Sequence, residues 1–207
     1  MEFTRQAVPF DHVRRFVAAK SAVAVDGRGS GGKTSFSARL AAAIPGACVV
    51  HTDDIAWRQA VLAWDDLLVE GILRPFRAGR AVSYRPPKWV EHDRPGAISV
   101  PAGCPLLIVE GVGSGRRSLA EHYDAVIWLE SPVEVTEARN DVRVAAGETT
   151  PADYALWMAE EDPFVEEQRT WERADLVIAG HPTIQLDPQT EVAVARAGGP
   201  GSLTLSS

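Results

Sequence analysis

Residues 27–34 read Gly27-Arg28-Gly29-Ser30-Gly31-Gly32-Lys33-Thr34, a complete G-x-x-x-x-G-K-[ST] element. Ala22-Val23-Ala24-Val25 precedes it as an apolar run of strand length, and the glycine-poor stretch from Lys33 to Ile44 follows it as a helix candidate. Strand, glycine turn and helix in that order are what a phosphate cradle requires. Glycines let backbone N–H groups turn toward phosphate oxygens with no Cβ in the way, and the positive end of the following helix faces the same anion. Gly27, Gly29, Ser30, Gly31, Gly32, Lys33, Thr34 and Ser35 are the expected nucleotide contacts. Lys33 would reach the β and γ phosphates, and the Thr34 hydroxyl would ligate Mg²⁺. The expected ligand is a nucleoside triphosphate, ATP or GTP.

The rest of the chain is compatible with one compact enzyme domain. Its 207 residues, 45% of them hydrophobic, suffice for one buried α/β core and fall short of two ordinary domains. A net charge of −7 argues against a broad surface for nucleic acid or anionic membrane, so a small-molecule acceptor is the expected partner. Cys48 and Cys104 sit among apolar residues and proline, which fits reduced thiols better than a disulfide framework or a metal site. Met1 to Arg5 lack an apolar signal core, and no run approaches the ~20 apolar residues of a membrane span, so a cytoplasmic protein is expected.

Five apolar runs, Ala22 to Val25, Ala47 to Val50, Leu106 to Val109, Ala125 to Leu129 and Leu176 to Ile178, recur with helical spacers between them. Continuous apolar strands joined by helices predict a parallel sheet covered on both faces, with ligands at the carboxyl ends of the strands. Two acids stand at such ends. Asp53, in His51-Thr52-Asp53-Asp54, is the candidate base for an acceptor hydroxyl or a Mg²⁺ orienter, and helix capping is the alternative use. Asp54 is assigned to the cap or the acceptor. Glu110, closing Leu106-Leu107-Ile108-Val109-Glu110-Gly111, would orient Mg²⁺ through water or touch the acceptor. Thr34, Asp53 and Glu110 thus form the expected metal set.

Two further regions attract attention. From Tyr84 to Pro105 the chain is proline-rich and shows no clear helix or strand. Tyr84, Arg85 and Trp89 there offer flat faces beside cations, and either an acceptor pocket or ordinary packing of Trp89 fits them. Trp57 is the other tryptophan expected near the acceptor. Residues 131–173 hold four arginines, eleven acids and no lysine. Arg139 and Arg143 lie four apart on a helix predicted from Pro132 to Ala146, so they share one face. They would close over the transferred phosphate as lid arginines or pair with nearby acids. Gly147 marks the stop of that helix. The acids Glu160, Glu161, Asp162, Glu166 and Glu167 read as a solvated helix face. The stretch after His181, with Gly198-Gly199-Pro200-Gly201, reads as a weakly ordered tail.

Taken in order, the glycine loop, Thr52-Asp53-Asp54, Trp64-Asp65, Tyr84 with His92, Glu110-Gly111 and Arg173-Ala174-Asp175-Leu176-Val177-Ile178 resemble the uridine kinase and phosphoribulokinase-like family over residues 20–180. The resemblance implies that Asp53 serves the acceptor hydroxyl, Asp65 grips a ribose, and Tyr84 and His92 handle a base. The chain departs from the family where Arg85-Pro86-Pro87-Lys88-Trp89-Val90-Glu91-His92 replaces the usual segment after the tyrosine, which leaves room for another acceptor. The expected fold is α/β, a three-layer P-loop NTPase fold with a mostly five-stranded parallel sheet and helices on both faces. One kinase domain would span 1–180, with a lid near 139–150 and a tail from 181 to 207. The expected activity is ATP-dependent phosphorylation of a hydroxyl on a nucleoside such as uridine or cytidine, or a similar metabolite. The alternatives are a nucleoside-monophosphate or specialised-metabolite kinase, and a nucleotide-gated binding module with little turnover.

Overall fold

In the computed structural model, residues 4–196 are described. The chain opens with β1 (Thr4–Pro9) and α1 (Phe10–Ala18). The phosphate-loop unit follows as β2 (Ala22–Gly27) and α2 (Lys33–Ala42), and then come β3 (Cys48–His51) and the short α3 (Thr52–Ala56). A helical segment consists of α4 (Asp65–Leu68), a π-helical turn Val69–Leu73 and α5 (Arg74–Arg77). After it the chain forms β4 (Val82–Tyr84), α6 (Pro87–Glu91) and β5 (Ile98–Val100), with β4 and β5 paired antiparallel as a separate small sheet. The proline-rich stretch therefore has secondary structure that its sequence conceals. Pro86 and Pro87 occupy the N-cap and first position of α6, where a missing N–H costs nothing.

The second half contains β6 (Leu107–Glu110), a 3₁₀ turn Arg117–His122, β7 (Ala125–Glu130), α7 (Val133–Ala145), α8 (Pro151–Gln168), α9 (Thr170–Arg173), β8 (Leu176–Ala179) and β9 (Glu191–Arg196). The main sheet has the order β1-β9-β8-β7-β2-β6-β3. Its five consecutive strands from β8 to β3 run parallel and are the five read from the sequence. Two strands were missed. β9 pairs antiparallel with β8, and β1 with β9, so the sheet has seven strands and the segment expected as a tail after His181 supplies one of them. β1, at the sheet edge, interrupts its apolar residues with Arg5 and Gln6, whereas the apolar run Val192 to Ala195 of β9 is flanked by Glu191 and Arg196 and followed by the glycine-rich segment that suggested a tail. Gly198-Gly199-Pro200-Gly201 lies outside the described residues.

Alternation along β2 divides the core. Ala22 and Ala24 face a cluster with Val50, Ile55, Trp64, Leu68 and Trp89, whereas Val23 and Val25 face Val17, Phe36, Leu40 and Ile127. A strand buried on both faces in this way has no polar side, which explains the apolar run Ala22 to Val25 that precedes the single buried acid Asp26. The layers put the carboxyl ends of β2, β3 and β6 side by side, with β7 on the other flank of β2. Among the described residues no helix is long and apolar enough to cross a membrane.

Candidate active site

A cleft of about 960 Å³ opens at those strand ends, lined by Gly29 to Ser35 of the loop, Asp53, Glu110, and Arg139 and Arg143 of α7. Gly32, at φ +94°, adopts a left-handed conformation at the N-cap of α2, and Gly27 has φ +152°. A Cβ on Gly27 would lie 2.6 Å from the Leu129 carbonyl oxygen, so only glycine fits there. Lys33 Nζ donates to the Arg28 carbonyl oxygen at 2.7 Å, which holds the ammonium over the loop.

Three of the expected chemical groups converge at the cleft floor. Thr34 Oγ1 donates to Glu110 Oε1 at 3.1 Å, and His51 Nδ1 lies 2.5 Å from the same oxygen. That bond to Glu110 raises the His51 pKa above its ordinary value. Asp53 keeps much of its surface open to the cleft but is walled by protein elsewhere, and this desolvation raises its pKa. Lys33 opposes the rise and Glu110 adds to it. The capping alternative for Asp53 finds no support, since His51 holds the N-cap of α3 and no side chain caps that helix. A hydroxyl and nearby carboxylates are hard oxygen donors suited to Mg²⁺, which takes few protein ligands and completes its shell with phosphates and water. No group of three or more His, Cys, Asp or Glu that could hold a metal occurs among the described residues, and a nucleotide-borne Mg²⁺ needs none.

The two arginines expected as a lid differ from each other. Arg139 donates to the Ser30 carbonyl at 2.9 Å and the Gly180 carbonyl at 3.3 Å, bridging the loop to the end of β8. Arg143 is half exposed and pairs with Glu148, just past the turn at Gly147.

The expected acceptor residues are not gathered into this cleft. Tyr84 packs over Gly71, where a Cβ would lie 2.5 Å from its ring, and lines a separate groove of about 370 Å³ with Glu70, Pro75 and Arg80. Trp89 is 5% exposed within the core, and its Nε1 donates to the Asp54 carbonyl at 2.8 Å. Arg94 stacks on Trp89 with its guanidinium carbon 3.7 Å from the ring centroid and bonds Asp54 Oδ1 at 2.6 Å. Arg85 donates to the Arg94 carbonyl. Trp57 and His92 meet edge to face at 5.8 Å. Asp65 accepts from Ser118 Oγ at 2.7 Å and lies 3.7 Å from Arg116. Packing thus wins over a pocket at Trp89. Trp89→Ala is expected to lower stability by about 3–5 kcal/mol through cavity formation and an orphaned carbonyl, a large fall in melting temperature that calorimetry would register. An unchanged melting temperature would return Trp89 to the ligand.

Two acids were overlooked as parts of the site. Asp26, 2% exposed in β2, accepts from the N–H groups of Gly27, Gly113 and Gly115 and so joins the loop to the turn after Glu110. Burial raises its pKa. An acid inside Val25-Asp26-Gly27 was the available signal, because a charge at the end of a buried strand needs donors. Glu161 of α8 is 1% exposed and accepts from Gly29 N, which corrects the reading of that helix as a solvated acidic face. Asp162 and Glu166 of the same helix pair with Arg28 of the loop.

Solved structures share this fold. The chain matches the structure from Bacillus stearothermophilus described as a possible uridine kinase at TM-score 0.55 and 18% identity, over 81% of this chain and 95% of that one. It has the fold of the P-loop kinases. A protein from Silicibacter sp. TM1040 assigned as a fructose transport system kinase matches at TM-score 0.56 and 20% identity, covering 80% of this chain and 93% of that one. No family model and no curated protein matches the sequence. The likeness to P-loop kinases is therefore one of fold.

Proposed function

We propose that the protein is an ATP-dependent, Mg²⁺-assisted small-molecule kinase that transfers the γ-phosphate to a hydroxyl of a metabolite of nucleoside or sugar size. The observation that carries this reading is the convergence of Lys33, Thr34, Asp53 and Glu110 with Arg139 and Arg143 around one cleft at the ends of parallel strands. Lys33 neutralises charge on the β and γ phosphates, and Thr34 with Glu110 is placed to hold the metal. The ion, held there, would supply positive charge to offset that of the phosphates. Asp53 accepts or orients the proton of the acceptor hydroxyl, and Arg143, once released from Glu148, supplies a mobile cation at the cleft.

The geometry favours an uncharged acceptor over a nucleoside monophosphate. A second phosphate would need its own cations, and the candidates are engaged: Arg94 by Asp54 and Trp89, Arg85 by the Arg94 carbonyl. Kinases named for a nucleoside and for a sugar both share the fold, and Tyr84 lies in a separate groove from the proposed site. Nucleosides and sugars therefore belong in one panel. ADP release from MgATP should rise at least about tenfold over the acceptor-free rate with the correct hydroxyl compound. Tight ATP binding with no stimulation by any member would favour a nucleotide-gated binding module.

A further inference from the structure

One peptide unit of the phosphate loop is held from both ends. The Arg28 carbonyl oxygen accepts from Lys33 Nζ at 2.7 Å, and the N–H of the same unit, belonging to Gly29, donates to Glu161 Oε1 at 2.8 Å. The C=O and N–H of a trans peptide point in opposite directions. Carboxylate, amide and ammonium therefore form a single chain across the loop, with Glu161 on the side away from Lys33. Glu161 is fixed in its turn, because its other oxygen accepts from Trp157 Nε1 one helical turn earlier. A Cβ on Gly29 would sit 2.8 Å from Glu161 Oε2, so the glycine makes room for the carboxylate as well as for phosphate.

Glu161 has no ion-pair partner among the described residues, and Arg28, the cation nearest in sequence to this peptide unit, is held instead by Asp162, with Glu166 at 3.9 Å. Leaving a carboxylate 1% exposed without a cation is costly. Amide and indole donors reduce that cost, and a charged acceptor strengthens the hydrogen bonds it joins and polarises the groups beyond them.

We propose that Glu161 is a positioning residue for Lys33, acting through the Arg28–Gly29 peptide unit. The carboxylate sets the plane of that unit and strengthens its carbonyl as an acceptor, so the ammonium is parked where the β and γ phosphates arrive. Helix α8, which follows the lid turn, is thereby tied to the phosphate site. This inference rests on the nucleotide-binding reading above.

The test is a double-mutant cycle on MgATP binding, measured by calorimetry with no acceptor required. Glu161→Ala should weaken binding about tenfold, the lower end expected for a hydrogen bond to a charged group. In a Lys33→Ala background the same change should alter the dissociation constant less than about twofold, because the group being positioned is gone. Equal losses in both backgrounds, or no loss in the single variant, would overturn the proposal. Glu161→Gln keeps the volume and an acceptor for Gly29, and should give a smaller loss that also vanishes without Lys33. It keeps the cycle decisive if the alanine variant does not fold. The contact has a nucleotide-free readout as well. The Gly29 amide proton should resonate well downfield in the wild type and move upfield in Glu161→Gln, and an unshifted resonance would remove the contact itself. Failure of the wild type to bind MgATP would defeat the nucleotide reading, while the Gly29 resonance would still decide whether Glu161 holds the loop.

Discussion

Lys33→Ala should abolish phosphoryl transfer while leaving the protein folded. The ammonium makes a single described hydrogen bond, to the Arg28 carbonyl, and its stem lies at the first position of α2, where alanine is an excellent helix former. Little of the framework depends on it. In the proposed transfer step the same ammonium would face the β and γ oxygens, and removing one such group costs at least about 10²–10³ in turnover. ADP release in the presence of acceptor should fall to background, with circular dichroism and melting temperature close to wild type. Turnover that survives the substitution would mean that the loop is a glycine turn without nucleotide chemistry.

The phosphate loop and the five parallel strands were legible in the sequence because their signals are local. Four fixed positions within eight residues describe a backbone shape, and a strand buried on both faces, such as β2, reads as a continuous apolar run, here Ala22 to Val25, with a polar residue tolerated only where donors meet it, as at Asp26. β1 escaped because Arg5 and Gln6 break its apolar pattern, and β9 because its short run Val192 to Ala195 stands beside a glycine-rich segment and pairs with Thr4–Pro9 from the other end of the chain. Trp89 shows a second kind of limit. A tryptophan beside prolines and cations is equally consistent with a pocket and with packing, and the bond from its Nε1 to the Asp54 carbonyl, 35 residues away, decides for packing. Glu161 is the sharpest case. Nothing local separates it from Glu160 beside it, yet one is exposed and the other meets the phosphate loop, a difference created by how α8 lies on the domain.

Asp53→Asn should lower kcat by about 10²-fold or more with little change in the ATP KM, because the amide keeps the size of the side chain and loses its basicity. The placement of Asp53 makes this a chemical test. Its helix is only five residues long and is entered through His51 with no side-chain cap, so the substitution removes no cap and should leave the melting temperature nearly unchanged. The pH profile gives the sign. Desolvation in the cleft, and secondarily the neighbouring Glu110, raise the Asp53 pKa above its ordinary 3.8 against the pull of Lys33. A base works when ionised, so activity should be present above that raised pKa and lost as the pH falls through it, at a higher pH than for an unperturbed aspartate. The acidic limb of kcat/KM should therefore lie above pH 3.8 in the wild type and disappear in the asparagine variant, which has no proton to gain at that position. A variant that keeps kcat and the acidic limb while losing only thermal stability would make Asp53 a structural residue and move the search for the base to Glu110 and His51, which share the cleft floor at 2.5 Å from each other.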